Sequence, residues 1–187
     1  TRFIFPHAPQ RPITLNGGMV MRGWYDIFPM LPTVPQEVGK LDLGIKQDAQ
    51  GIHDTDQILR NYIAHELEQG ISAQRIVLAG FSQGGAMALH TGLRYPLALA
   101  GIMALSTYLP LADTVESEIH AANRQTSIFM AHGQFDQLIF FPFAESSRAY
   151  LAEKLGYNIE WHTYNMQHSV SAEEIIDIAH WLSARLL

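Results

Sequence analysis

The stretch that decides the fold reads Arg75-Ile76-Val77-Leu78-Ala79-Gly80-Phe81-Ser82-Gln83-Gly84-Gly85-Ala86-Met87-Ala88-Leu89. Its first half is an apolar, β-rich run, and its second half consists of small residues with a helical pattern. Between them, Gly80 to Gly84 match the pattern G-x-S-x-G, which places a serine on a sharp strand-to-helix turn where its hydroxyl is exposed to a base. The pattern predicts Ser82 as a nucleophile. We also expect both glycines to be required, because a side chain at either position would crowd the turn.

Outside this stretch, short β-rich runs alternate with longer helical ones, which predicts a three-layer α/β domain. Runs such as residues 76–79 are apolar on both faces, as in a parallel sheet covered by helices. We predict strands at residues 3–5, 75–81, 100–105, 127–132 and 159–164. We predict helices at residues 55–69, 84–94, 142–155 and 172–186. Asp54 and Ser171 have the spacing of helix caps, and Gly70 and Gly156 stand where helices should end.

The composition excludes several classes of protein. The 187 residues are 48% apolar and 16% charged, which is typical of one compact domain, residues 1–187. The net charge of −6 and the scattered basic residues argue against nucleic acid as a partner. The sequence has no apolar run long enough for a membrane span. Without cysteine it contains no thiol nucleophile and no disulfide, which fits a cytoplasmic location.

A serine nucleophile on such a turn needs an acid and then a histidine later in the chain, each just beyond a strand. Asp136 follows the predicted strand 127–132, and His168 follows the strand 159–164. The order Ser82, Asp136, His168 is the expected one. His162 is the nearest rival of His168 but lies within a strand, and Asp113 lies further from its strand than Asp136 does.

A metal site is the alternative for some of these residues. His132 and Asp136 are four apart, and His53, Asp54 and Asp56 form a cluster of potential ligands. Neither group lies on a helix with a supporting set of ligands. We therefore interpret them as a strand end and a helix cap, and expect no metal and no cofactor.

Several segments together resemble the carboxylesterase and lysophospholipase-like family that includes the acyl-protein thioesterases, with the nearest likeness to small bacterial carboxylesterases. They are Phe5-Pro6-His7-Ala8-Pro9, Trp24-Tyr25-Asp26, Leu78 to Ala86, Ala104 to Pro110, Ala131 to Asp136 and Met166 to Val170. The resemblance implies an α/β-hydrolase fold, a mainly parallel central sheet flanked by helices.

The same resemblance implies hydrolysis of short-to-medium acyl carboxylic esters, with Ser82, Asp136 and His168 as the triad. It implies the amide of Gln83 as one donor of the oxyanion hole, and Trp24 and Leu109 as walls of the acyl site or ordinary core residues. Within hydrolases, the alternative is an acyl-protein thioesterase or lysophospholipase, for which residues 138–141 would form a longer apolar rim or only pack at a helix start. A non-enzymatic alternative is an esterase scaffold that has lost activity.

Two departures from the family pattern stand out. Gln167 holds the place where the family has a glycine before its histidine, so we expect the histidine loop to differ in shape. The family also opens with a strand ending in a His-Gly-Leu-Gly type loop, which supplies the second oxyanion donor and has no counterpart here. By resemblance it would lie between the strands 3–5 and 75–81.

Three explanations of the missing strand are open. The sequence is a piece of a longer protein, or the chain is truncated with its strands rearranged or borrowed from another chain, or the two flanking strands pair directly. We favour the first two, which leave an open apolar edge and make a homodimer plausible.

Overall fold

The computed structural model describes residues 1–29 and 44–186. Its strands are β1 (Gln10–Ile13), β2 (Met19–Arg22), β3 (Val77–Phe81), β4 (Gly101–Leu105), β5 (Ile128–Gly133) and β6 (Ile159–Tyr164). Its α-helices are α1 (Ala49–Glu68), α2 (Gln83–Arg94), α3 (Ala112–Glu118), α4 (Phe141–Ala149) and α5 (Ala172–Leu186). A π-helical segment, Tyr150–Lys154, prolongs α4.

The central sheet is parallel, in the order β3-β4-β5-β6. Its four strands match the predicted runs to within two residues at each end. Parallel pairing brings the carboxyl ends of all four strands to one edge of the sheet. That edge carries Ser82 after β3 and the loops that follow β5 and β6, so the topology gathers the predicted site.

Two apolar layers sandwich the sheet, because alternate residues of a strand face opposite sides. On one face, Ile102 of β4 and Met130 of β5 pack among side chains of α2 and of the segment after α4. On the other, Phe129 and its neighbours pack against Trp181 of α5. Within the described residues, no helix combines the length and apolarity needed to cross a bilayer.

The helix ends were predicted unevenly. The start expected at Thr55 is wrong: α1 begins at Ala49, and its cap is Asp48, whose carboxylate accepts the Gly51 amide at 2.9 Å. Asp54 instead accepts from Gln50 within the helix. The Ser171 cap is confirmed, because its hydroxyl accepts the Glu174 amide at 3.0 Å. Both predicted left-handed glycines are confirmed as well, with φ of +83° at Gly70 and +76° at Gly156.

The predicted strand at Phe3–Phe5 is wrong, since residues 1–9 contain no strand. In the described chain, β3 pairs with β4 on one edge and has no strand on the other. Residues 1–6 and 75–81 instead line one groove of about 600 Å³. Direct pairing of the two flanking segments, the third explanation above, is therefore excluded, and self-association along this open edge stays a prediction.

The sequence predicts no strand or helix for the long segment of residues 7–53. Its described part contains the antiparallel hairpin β1–β2, which turns through Gly17 and Gly18. Residues 30–43 of the segment lie outside the described residues.

Candidate active site

Ser82 occupies a strained turn between β3 and α2. Its φ of 54° and ψ of −120° lie outside the ordinary regions for a residue with a side chain. Two backbone hydrogen bonds hold it there: its amide donates to the Leu105 carbonyl at 2.8 Å, and its carbonyl accepts the Ala86 amide at 3.1 Å. Such strain persists only where the surroundings enforce it, and it is concentrated at functional sites.

The glycines around the turn are not equally required. A β-carbon at Gly80 would overlap the backbone of Gly84 and lie 2.5 Å from the Gly85 nitrogen. A β-carbon at Gly85 would lie 2.8 Å from the Thr107 methyl carbon. At Gly84, by contrast, the nearest atom is the Trp24 indole nitrogen at 4.0 Å. The expectation that both motif glycines are needed holds for Gly80 and is wrong for Gly84, where Gly85 takes the crowded place.

Asp136 and His168 meet at the same edge of the sheet. The Oδ2 atom of Asp136 lies 2.7 Å from Nδ1 of His168, so the imidazole donates this nitrogen's proton to the carboxylate. The other oxygen, Oδ1, accepts the amides of Leu138 and Ile139 at 2.9 Å each. Three donors therefore fix the carboxylate, which is buried.

The imidazole of His168 packs against the ring of Phe81, with 4.7 Å between the ring centroids. Phe81 directly precedes Ser82, so the acid–base pair lies beside the nucleophile turn. Within the described residues the Ser82 hydroxyl has no hydrogen-bond partner, and a bond to the base that is absent without substrate is common in such sites.

The loop that carries His168 shows no backbone strain at Gln167, since the positive φ values of non-glycine residues fall at Ser82, Ser106 and Leu111. Gln167 therefore avoids the left-handed conformation that a glycine would allow, and the expected difference in loop shape stays a prediction. The glycine that the close packing of this loop requires is Gly133, at the end of β5. A β-carbon at Gly133 would lie 2.5 Å from the Met166 carbonyl oxygen and closer still to that of Gln167.

A small pocket of about 40 Å³ opens beside Ser82. Its walls are side chains from four parts of the chain: Tyr25, Ile27, Gln83, Tyr108 and Ile139. The hydroxyls of the two tyrosines lie 3.3 Å apart. Burial raises the pKa of both hydroxyls, and the neighbouring Tyr108 raises that of Tyr25 further. Both therefore stay neutral at physiological pH.

Gln83 connects the nucleophile turn to one wall of this pocket. Its side-chain oxygen accepts the Trp24 amide at 3.0 Å, and its side-chain nitrogen donates to the Tyr25 carbonyl at 2.7 Å. Its own backbone amide is the first of helix α2, where amides have no partner within the helix. This amide therefore remains available to a developing negative charge.

The family model described as phospholipase/carboxylesterase matches residues 1–186. The chain belongs to this family. It is 40% identical to acyl-protein thioesterase 1 of Yarrowia lipolytica over 99% of this chain and 78% of that protein. Its identity to acyl-protein thioesterase 1 of Neurospora crassa is 42%, over 99% of this chain and 74% of that protein.

A solved structure, SOBER1 of Arabidopsis thaliana, superposes with a TM-score of 0.86 at 29% identity, covering 98% of this chain and 83% of that one. The family predicted from the sequence and its α/β-hydrolase fold are thus confirmed. The nearest likeness was expected among small bacterial carboxylesterases, whereas these two curated relatives are fungal thioesterases.

Trp24 and Leu109 do not line the small pocket beside Ser82. The resemblance to the phospholipase/carboxylesterase family implied them as walls of the acyl site or as core residues. Trp24 is half-buried and lines the large groove beside β3. Leu109 is 0% exposed and belongs to the core cluster on one face of the sheet. Their chain neighbours Tyr25 and Tyr108 line the pocket instead. Leu109 therefore matches the alternative of a core residue, and a role of Trp24 at the acyl site stays a prediction.

The predicted rim at residues 138–141 divides in the structure. Leu138 is exposed, Ile139 lines the pocket beside Ser82, and Phe140 packs on Phe143. The segment therefore supplies one wall residue to the pocket, and its two phenylalanines pack at the start of α4.

The rival residues have partners away from Ser82. His162 contacts Glu160 at 3.1 Å and Asp177 at 3.5 Å, on the face of β6 that packs towards α5. Asp113 is exposed in the first turn of α3. Of the potential metal ligands, His53 packs against His90 and Asp56 pairs with Arg60.

Proposed function

We propose that the protein hydrolyses acyl thioesters on proteins, through an acyl-enzyme formed on Ser82. Membership of the phospholipase/carboxylesterase family makes it a hydrolase of esters and thioesters. The observation that carries the finer proposal is the likeness at 40% and 42% identity, over almost the whole chain, to proteins named acyl-protein thioesterases. It favours the thioesterase alternative over a general short-chain carboxylesterase.

The geometry supports two chemical steps. In the first, the Ser82 oxygen attacks the carbonyl carbon, and His168 takes the hydroxyl proton at its Nε2 atom. Asp136 bonds to the opposite nitrogen and stabilises the imidazolium that forms. Collapse of the tetrahedral intermediate breaks the bond to sulfur or oxygen, and His168 returns the proton to the leaving thiol or alcohol. Water then repeats the sequence and releases the carboxylic acid and free Ser82.

The negative oxygen of each intermediate needs donors that are already in place. The Gln83 amide supports this role, because it is the first amide of α2 and the positive end of the helix dipole lies there. The side-chain bonds of Gln83 to Trp24 and Tyr25 hold the wall of the pocket close to the same turn.

Turnover of an S-palmitoylated cysteine peptide tests the proposal, with the released thiol measured by a chromogenic disulfide reagent. We expect turnover by the wild type and none by Ser82→Ala. The matched control is Ser183→Ala, on the exposed side of α5, which should match the wild type. A fluorophosphonate probe should label the wild type and the control but not Ser82→Ala. Equal thiol release by Ser82→Ala would refute the assignment of the nucleophile.

The small pocket favours a second candidate, hydrolysis of short-to-medium acyl esters. About 40 Å³ holds only a few heavy atoms. A series of thioesters and p-nitrophenyl esters from acetyl to palmitoyl separates the two. A maximum at long thioesters supports the thioesterase, and a maximum at acetate or butyrate supports the esterase. Labelling of Ser82 without turnover of any member would instead support the inactive-scaffold alternative.

A further inference from the structure

His132 is a buried histidine for which the two chemical steps above have no role. It lies near the carboxyl end of β5 and is 0% exposed. Its Nε2 atom lies 2.8 Å from the Ile139 carbonyl oxygen and 3.3 Å from Oδ2 of Asp136. A carbonyl oxygen only accepts, so Nε2 must carry the proton. The hydrogen bond goes to this carbonyl, and the Asp136 carboxylate lies beside the same nitrogen.

The Oδ2 atom of Asp136 therefore lies between two imidazoles. One is His168, whose Nδ1 donates at 2.7 Å, and the other is His132 at 3.3 Å. The two differ in exposure: the side chain of His168 is 15% exposed, whereas that of His132 is fully buried. Only His168 is in a position to exchange protons with a substrate.

The charge state of His132 matters to this arrangement. Burial lowers its pKa and outweighs the Ile139 carbonyl and Asp136, which raise it, while His168 lowers it further. A neutral His132 lies beside the carboxylate without cancelling its charge. The full negative charge of Asp136 then remains to stabilise the imidazolium of His168.

The two groups near Nε2 of His132, the Ile139 carbonyl and the Asp136 carboxylate, belong to one short loop, residues 134–140, which follows β5. Asp136 in this loop orients the base, and Ile139 lines the pocket beside Ser82. The loop is also held from within, because the Ile139 amide donates to Asp136. A single ring thus restrains both the residue that orients the base and a wall of the pocket.

From this geometry we infer that His132 is a positioning residue, which holds the Asp136 carboxylate and the Ile139 wall in the places that the reaction requires. The inference rests on the proposed function for its kinetic consequence. The bland alternative is a core histidine that merely satisfies one carbonyl. The two alternatives differ in a folded variant of His132. A positioning role predicts a change in the behaviour of His168, and a merely structural role predicts none.

Two substitutions separate them. His132→Leu fills the space but cannot donate, and His132→Gln keeps an N–H donor of similar reach. For His132→Leu we expect kcat to fall about 10- to 100-fold with KM changed far less, because small displacements of catalytic groups have effects of this size. We also expect the acidic limb of the kcat/KM profile to move to lower pH, because a less firmly held carboxylate stabilises the His168 imidazolium less. His132→Gln should recover most of both losses.

The control is His90→Gln, since His90 is also buried but contacts His53 rather than the acid–base pair. It should lower the unfolding temperature and leave the pH profile unchanged. A second readout is the low-field proton resonance of the His168 Nδ1–H, which should shift or broaden in His132→Leu.

A folded His132→Leu with wild-type kcat, pH profile and proton resonance would overturn the inference. If His132→Leu does not fold, the comparison rests on His132→Gln. A residual shift of the acidic limb and of the resonance in a folded His132→Gln then supports positioning, and an unshifted resonance contradicts it. The absence of turnover in the wild type would instead refute the proposed function, and the resonance would still test His132.

Discussion

Gly133 at the end of β5 faces the backbone of Gln167 so closely that no β-carbon fits between them. The same approach brings the loop of His168 against the strand that leads into Asp136. Just after Gly133, two backbone hydrogen bonds join the loops. The Gln134 amide donates to the Tyr164 carbonyl at 2.9 Å, and the Phe135 amide donates to the Met166 carbonyl at 3.0 Å. Backbone contacts thus place the loops of the base and the acid side by side, in addition to the hydrogen bond between the two side chains.

Gly133→Ala should therefore reduce activity by displacing His168. An added methyl group at this contact pushes the Met166–Gln167 backbone away, and we expect kcat/KM to fall about 10- to 100-fold. Overpacking also costs stability, about 1–3 kcal/mol. Gly156→Ala is the control: it has a similar cost in stability because of its φ of +76°, but it lies outside the site. Equal losses of activity in the two variants would show that the effect is only one of stability.

The two motif glycines should respond differently to alanine. Gly80→Ala places a methyl group into the backbone of Gly84, so we expect the turn to be lost and fluorophosphonate labelling of Ser82 to disappear. Gly84→Ala meets nothing nearer than 4.0 Å and improves the helix propensity of the first turn of α2. Its labelling rate should stay within a few-fold of the wild type. Equal loss of labelling in both variants would contradict the steric argument.

The strands of the sheet could be predicted because burial on both faces produces short apolar runs without interruption, as in β4 and β5. The start of α1 was missed because Asp48 and Asp54 are both good capping residues, and only the tertiary structure selects between them. The hairpin β1–β2 was missed because the exposed residues 19–22 show no alternation of apolar and polar side chains. Its Gly17-Gly18 pair was the available signal.

The three candidate catalytic residues could be predicted from the motif and from the order of the strands. Ser82, Asp136 and His168 each follow a predicted strand, and parallel pairing brings such positions to one edge. The pocket was harder to predict from the sequence, because Tyr25, Tyr108 and Ile139 converge from three separate segments. The sequence identifies His132 only as a strand-end residue, since its contact with Ile139 depends on how the loop after β5 folds back.

Gln83 should affect substrate binding through its side chain, apart from any role of its amide. Gln83→Leu removes the two bonds to Trp24 and Tyr25 and leaves a partly buried amide and carbonyl without partners, at about 1–3 kcal/mol each. We expect KM for the acyl substrate to rise several-fold as the pocket wall loosens. Gln83→Glu still accepts the Trp24 amide but cannot donate to the Tyr25 carbonyl. Its KM should therefore lie between that of the wild type and that of Gln83→Leu. An unchanged KM in Gln83→Leu would show that the wall is held by other contacts.

Glu174 should make the fold less stable as the pH rises. Its side chain is 0% exposed, and neither carboxylate oxygen has a hydrogen-bond partner within the described residues. Burial raises the pKa of Glu174 to about 7 from 4.5, the Ser171 contact lowers it, and nearby Asp177 and His162 act in opposite directions. Because the folded-state pKa lies above the unfolded one, the native state binds the extra proton. This stability is fully present below pH 4.5 and is lost as the pH rises to about 7.

Glu174→Gln removes the charge and should therefore stabilise the protein at pH 8, by at most about 3–4 kcal/mol. At pH 4.5 the two proteins should have nearly equal free energies of unfolding, since Glu174 is then protonated in the wild type. The matched control is Glu173→Gln, an exposed neighbour in the same first turn of α5. It also removes a charge from the helix start, which costs about 0.3–1 kcal/mol, without relieving burial. Urea unfolding at both pH values measures the difference, and a Glu174→Gln variant that is no more stable than Glu173→Gln at pH 8 would contradict a buried, destabilising charge.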